Sequence, residues 1–340
     1  MSFFRIIFSP ILLISSLLIL TSCGETSKTT PTNLSGASLD SLLKIYPDSI
    51  PFLIQRGKQN LENYLFADAL SDAAKAFRLD SNRTEARLLY AEALINKPNF
   101  RADDLFRAHR IFKKLVKKEP SNKEALLGLA NTYSMFEDYD NSFVYINKAL
   151  RVDKKFRNAY VLKGTNYRKL GNFKLAVSSY ETAVQQDPDF YGGYLMLGAL
   201  YQAKEDPICI EYYTTASKLQ PKNPDVLYSL AYAKQIFGKE EDAKRLYRRM
   251  VKIDPSYHEA YFQIGFIHQF SALNLDSAMI YYDKAVEIEP NHLESWHNMG
   301  LIYEDKKDIS NALLSYAKAL KINPEFELSR ERAEVLKKLR

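Results

Sequence analysis

Cysteine is nearly missing from this chain: there are two in 340 residues, Cys23 and Cys209. That excludes a disulfide framework and leaves packing to stabilise any core. Histidine is scarce too, with five residues, four of them late: His258, His268, His292 and His297. Metal-binding pairs on one helix face sit three or four residues apart, and these gaps are 10, 24 and 5. No H-E-x-x-H is present, since His258-Glu259 runs on into Ala260-Tyr261-Phe262. There is no phosphate-cradling P-loop, no G-x-G-x-x-G after a strand, no G-x-S-x-G elbow, and no alternating pattern that would mark a strand. These absences predict an all-helical chain that is not an enzyme, with no cofactor and no metal.

What is present is apolar and evenly charged. Hydrophobic residues make up 46%, enough for more than one core, and 47 Lys and Arg face 41 Asp and Glu for a formal charge of +6. The charges are interspersed, as on solvated helix faces. Two basic runs, Arg110, Lys113, Lys114, Lys117, Lys118 and Lys244, Arg245, Arg248, Arg249, Lys252, read the same way. Nucleic acid is not an expected partner, because the N-terminus points to export.

Arg5 precedes an apolar stretch from Ile6 to Leu20, whose fifteen residues are fewer than the about 20 a membrane span needs. Leu20-Thr21-Ser22-Cys23 follows. This order resembles the bacterial lipobox, an aliphatic residue and two small ones before cysteine. The resemblance implies a signal peptide at 1–22 and diacylglycerol on the Cys23 thiol, with further acylation of the freed amine. Two or more acyl chains anchor a protein stably. Residues 24–38, GETSKTTPTNLSGAS, are polar and turn-forming. They are expected to form, with Cys23, a flexible lipidated tether at 23–38, reaching roughly 20 Å at about 5–6 Å times the square root of its length. Gly24 is not the aspartate associated with inner-membrane retention, so the expected location is the outer membrane facing the periplasm.

The rest of the chain keeps a beat. Gly57, Ala91, Ala130, Gly164, Gly198, Ala231, Gly265 and Gly300 are spaced by 34, 39, 34, 34, 33, 34 and 35 residues. Repeats counted from seven residues before each begin at Ile50, Thr84, Lys123, Arg157, Tyr191, Pro224, His258 and Leu293. Positions 4, 7, 8 and 11 share one stripe of a 3.6-residue helix. A second helix carries small residues such as Ala176, Cys209, Ala243, Ala278 and Ala312, each followed four residues on by Tyr180, Tyr213, Tyr247, Tyr282 and Tyr316. Small residues let helix backbones approach, and the rings fill the space beside them. Cys209 and Trp296 therefore read as core.

The pattern is similar to the tetratricopeptide repeat, W-x2-L-G-x2-Y, then A, F/Y, A and P. The last repeat carries it as Trp296, Met299, Gly300, Tyr303, Ala312, Tyr316, Ala319 and Pro324. The resemblance implies a right-handed α-solenoid over 39–340 of about eight helix-turn-helix repeats. A capping helix is expected at 327–340, with Leu328, Val335, Leu336 and Leu339 on its inner face. Repeat two, with Arg87 for the aromatic and five extra residues near Lys97-Pro98-Asn99-Phe100, departs most.

Such a family lines its concave groove with first-helix positions 2, 5, 9, 12 and 13. A carboxylate-clamping subfamily places Lys at position 5 and Asn at position 9 of its first repeat. This chain has Ile54 and Lys58 there, so that clamp is not expected. Repeats five to seven instead offer Leu195, Met196, Tyr228, Tyr232, Phe262, Phe266 and Phe270, with Asn131 and Asn298 as further groove candidates. These rings either grip an apolar peptide or helix or pack against the neighbouring repeat. The implied function is a membrane-anchored adaptor for protein partners in a bacterial envelope complex, serving peptidoglycan, pilus, secretion or gliding machinery. The alternative is a glycan-binding lipoprotein of the nutrient-uptake type, which resembles longer chains with large inserted loops.

Overall fold

The computed structural model describes residues 38–338, and all regular structure among them is helical. Cys23, the leader and the tether lie outside the described residues. The chain falls into two compact units, the first ending at Asp187 and the second beginning at Pro188.

The first unit holds α1 (Leu39–Ile45), α2 (Ile50–Glu62), α3 (Phe66–Leu79), α4 (Thr84–Asn96), α5 (Ala102–Lys118), α6 (Lys123–Met135), α7 (Tyr139–Val152), α8 (Arg157–Lys169) and α9 (Phe173–Gln186). The second holds α10 (Tyr191–Gln202), α11 (Cys209–Leu219), α12 (Pro224–Ile236), α13 (Glu240–Ile253), α14 (His258–Phe270), α15 (Leu275–Ile288), α16 (Leu293–Asp305), α17 (Ile309–Ile322) and α18 (Glu327–Lys338). From α2 on, each even-numbered helix packs along the next odd one as an antiparallel pair, and within each unit each pair packs on the next. In the first unit α2, α4, α6 and α8 also stand side by side.

Local chemistry sets the helix ends. Asn122, Asp138, Asn172, Asn223, Asn274 and Asp308 accept backbone N–H bonds as N-caps. The turn inside each pair carries one residue in the left-handed region, such as Glu137 (φ 62°), Lys307 (φ 60°) and Leu273 (φ 52°). Gly171 and Gly238 occupy the same place at φ 70° and 72°, where glycine avoids the Cβ clash that other residues bear.

Small residues and rings form the core. Ala176, Cys209, Ala243, Ala278 and Ala312 are fully buried, and so are Tyr247, Tyr282 and Tyr316. These three buried tyrosines each find a polar partner at position 12 of their own pair. Tyr247 Oη donates to Gln235 Oε1 at 2.9 Å, Tyr282 Oη to Gln269 Oε1 at 2.7 Å, and Tyr316 Oη to Glu304 Oε2 at 3.0 Å. Burying a phenol demands such a bond.

Three expectations need correction. Lys244 is not on a solvated face: it is buried, and its ammonium reaches out to Glu241 Oε1 at 2.6 Å. Helix α18 packs through Ser329, Ala333 and Leu336, leaving Leu328 and Val335 exposed. The buried stripe at i, i+4, i+7 is thus rotated from the one its larger apolar residues suggest, because Ser329 bonds inward to His297. Trp296 is only half-buried: its Nε1 donates to Pro290 O at 2.9 Å and the Lys318 ammonium lies 3.8 Å from the ring centroid.

Candidate interaction surface

In the second unit the predicted aromatic strip divides by depth. Phe262 is core, with its ring 5.7 Å from that of Tyr282 and 4.8 Å from His292. Tyr228 also faces inward. Its ring lies 5.9 Å from Tyr247, and Gln263 Nε2 donates to its hydroxyl at 3.2 Å. Burial raises its pKa well above the usual phenol range. Leu195 packs against the cluster of Cys209, Tyr213 and Leu230.

Tyr232 stacks parallel to Tyr228 at 6.1 Å and is half-buried, as are Met196 and Phe266. Phe270 is 49% exposed and 4.6 Å from Phe266. The outward part of the strip is therefore Met196, Tyr232, Phe266 and Phe270, with Tyr228 stacked on Tyr232 and the Phe262 ring 6.2 Å from that of Phe266. An apolar surface of this kind, half sunk and half exposed, suits a partner's side chains.

The two asparagines are buried. Asn298 donates to Tyr282 Oη at 3.1 Å, a core bond. Asn131 is 9% exposed and lies in the first unit. Ile54 is buried, and Lys58 stands on the first-helix face nearby.

The structure also joins residues that spacing along one helix kept apart. His258, Glu259 and His292 bring their ligand atoms within 4.8 Å of one another. His258 and His292 are separated by one repeat length, which places them side by side on neighbouring helices. Yet His292 Nδ1 accepts the Ser295 N–H at 3.2 Å as the cap of α16, so in the neutral ring the proton sits on Nε2. That Nε2 faces Glu259 Oε1 at 3.3 Å. A protonated Nε2 has no lone pair for a metal, and the cluster reads as a histidine–carboxylate bond holding α14 to α16. Burial pushes Glu259 up, but the His292 bond and the neighbouring imidazoles keep it below the usual carboxylate range.

Another polar feature escaped the sequence. In the first unit a cavity of about 60 Å³ is lined by Lys58, Glu62, Glu85, Glu92, Glu124 and Asn158, among others. Glu92 is 8% exposed and, among the described residues, makes no hydrogen bond and no ion pair within 4.0 Å. Burial raises its pKa to about 7, moderated by Lys58 and reinforced by Glu124.

The geometry defines a class: an all-α fold of stacked tetratricopeptide-type helix pairs. The tetratricopeptide repeat family profile matches residues 158–190, 258–292 and 293–326, so the chain carries these repeats. Tetratricopeptide repeat protein 6 of Homo sapiens is 25% identical over 215 residues, which are 60% of this chain and 39% of that protein. Among solved structures, the C-terminal part of a TPR repeat-containing protein from Cytophaga hutchinsonii is similar at TM-score 0.59 and 19% identity, covering 72% of this chain and 98% of that one. The APC/C hetero-tetramer Cut9–Hcn1 is similar at TM-score 0.56 and 17% identity, covering 88% and 58%. Both structural likenesses concern the fold. The chain spans 39% of the length of the first of these curated relatives and 7% of another.

Proposed function

We propose that this protein is a non-catalytic scaffold, anchored to a bacterial envelope membrane through lipid on Cys23, that holds partner proteins on the first-helix faces of its repeats. The observation that carries the reading is the outward strip of Met196, Tyr232, Phe266 and Phe270 in the second unit. Rings whose bases are fixed by core contacts are rigid anchors, and they lose little conformational entropy when a partner covers them. No helix among the described residues is long and apolar enough to cross a membrane. The lipid is supported by the order Leu20-Thr21-Ser22-Cys23 behind an apolar stretch. The outer membrane facing the periplasm is the location this reading favours.

Two experiments test it. Tyr232→Ala with Phe266→Ala should abolish recovery of cross-linked partners from membranes while shifting the thermal midpoint little. Unchanged recovery removes the groove from the account. Cys23→Ser should move the chain from the membrane to the soluble fraction, and continued membrane association refutes the lipid anchor.

A further inference from the structure

Position 9 of the first-helix face in the first unit holds Lys58 on α2 and Glu92 on α4, followed by the neutral Asn131 and Thr165. Lys58 and Glu92 both line the cavity described above. Glu92 is nine-tenths buried, opens into that cavity, and has no hydrogen-bond or ion-pair partner among the described residues. A largely buried carboxylate in that condition is stabilised by holding a proton or by meeting a cation. Lys58 lies near enough to favour the charged form but not within 4.0 Å.

The lining as a whole is acidic, with four carboxylates (Glu62, Glu85, Glu92 and Glu124) against one ammonium. Two cations touch it from outside. Arg83 Nε lies 3.2 Å from Glu85, and Lys123 Nζ lies 4.0 Å from Glu124 while also bonding Asp153 at 2.7 Å. Neither touches Glu92. Between the carboxylates the wall is apolar, with Leu61, Leu88 and Phe156 contributing. Such a wall suits a methylene stem and not a bare ion. Among the described residues no three of these carboxylates converge closely enough to share a metal ion.

We propose that this cavity receives the cationic end of a lysine or arginine side chain from a partner protein, with Glu92 as its counter-ion at the bottom and Glu85 and Glu124 at the rim. The proposal rests on the scaffold reading and adds the chemistry of the partner: a basic residue entering the first unit, at residues separate from the aromatic strip of the second. The volume admits a group of a few heavy atoms, an ammonium or a guanidinium. Binding requires ionised Glu92, so it strengthens as pH rises through neutrality.

The test uses the full chain, with N-acetyl-lysine methylamide and N-acetyl-arginine methylamide as cationic probes. N-acetyl-norleucine methylamide is the uncharged control, and calcium chloride is the competing ion. Amide resonances of residues 88–96 should shift saturably with a cationic probe at pH 8, at least five-fold more weakly at pH 6, and at least five-fold more weakly in Glu92→Gln. Equal shifts with norleucine, shifts from calcium with none from either cationic probe, or unchanged binding in a folded Glu92→Gln each overturn the proposal. Tyr232→Ala with Phe266→Ala should leave probe binding unaltered. Loss of partner recovery in that variant concerns the scaffold reading alone, so the two ideas fail separately.

Discussion

Gly164 lies so close to the ring of Tyr180 that a Cβ built on it would stand 2.6 Å from Cε1 and 2.7 Å from Cδ1. Tyr180 is 1% exposed, and its hydroxyl is fixed 3.0 Å from Thr165 Oγ1, so the ring cannot retreat. The same relation recurs at Gly198 with Tyr213, Gly265 with Tyr282 and Gly300 with Tyr316, while the repeat between Gly198 and Gly265 carries Ala231 there. It sets how closely the two helices of a pair approach. Gly164→Ala should therefore destabilise the first unit by roughly 1–3 kcal/mol, the usual cost of overpacking, despite alanine's better helix propensity. Chemical denaturation of the full chain, followed by hydrogen exchange in α8 and α9, measures it.

Leu273 is 77% exposed and held at φ 52°. Left-handed backbone costs a branched residue roughly 1–2 kcal/mol, and its side chain contributes little packing there. Leu273→Gly should raise the thermal midpoint of the second unit, and a lowered midpoint would show that Leu273 makes a contact that matters.

His297 predicts an acid-sensitive cap. It is 7% exposed, bonds Ser329 Oγ of α18 through Nδ1 at 2.9 Å, and has its pKa lowered to about 4 by burial and by Arg332, partly offset by Glu304. The folded pKa lies below the unfolded one, so the neutral ring's contribution is fully present above about 6.5 and is lost as pH falls toward 4. The loss is of order 3 kcal/mol. Hydrogen exchange in α18 should quicken between pH 6.5 and 4.5, and His297→Gln should flatten that dependence.

Glu92 gives the opposite sign. Its folded pKa of about 7 lies above the unfolded value, so stability is lost as pH rises from about 4.5 to 7, stays lost above that, and is unaffected below about pH 4.5. Glu92→Gln should raise the melting temperature at pH 8 and leave it unchanged at pH 4.5, as scanning calorimetry at the two pH values would show.

Much of this was legible in the sequence, for a physical reason. A small residue every 34 positions and a ring four residues after the next small one are direct consequences of helix-pair geometry. The first helices accordingly begin at Ile50, Thr84, Lys123 and so on to Leu293, where the beat puts them. What periodicity along one helix cannot show is contact between repeats. His258 and His292 look unrelated until one repeat length is read as adjacency. The burial of Glu92 depends on what lies over it from α2 and α6 (Lys58, Glu124), and no count within α4 contains that. The aromatic strip was half legible. Its rings followed from positions 5, 9 and 13 (Met196 is at position 6), but depth separates Phe262 and Tyr228 from Phe266 and Phe270, and depth comes from the packing of α15, α13 and α16.

Cys209 offers a thiol count that bears on the N-terminus. It is fully buried, and burial with Asp206 nearby raises its pKa to about 11, so it should resist maleimide at pH 7.5 until the chain unfolds. Protein isolated from membranes should then show one reactive thiol in denaturant if Cys23 carries lipid, and two if it does not.

The central claim, that the outward rings of the second unit hold a partner protein, is tested most directly by a photo-crosslinking residue placed at Tyr232 or Phe266 in living cells. Leu314, exposed on α17, serves as the control position. A discrete adduct of one protein mass at positions 232 and 266 and none at 314 is the predicted result. Equal or absent adducts at all three positions would contradict the account.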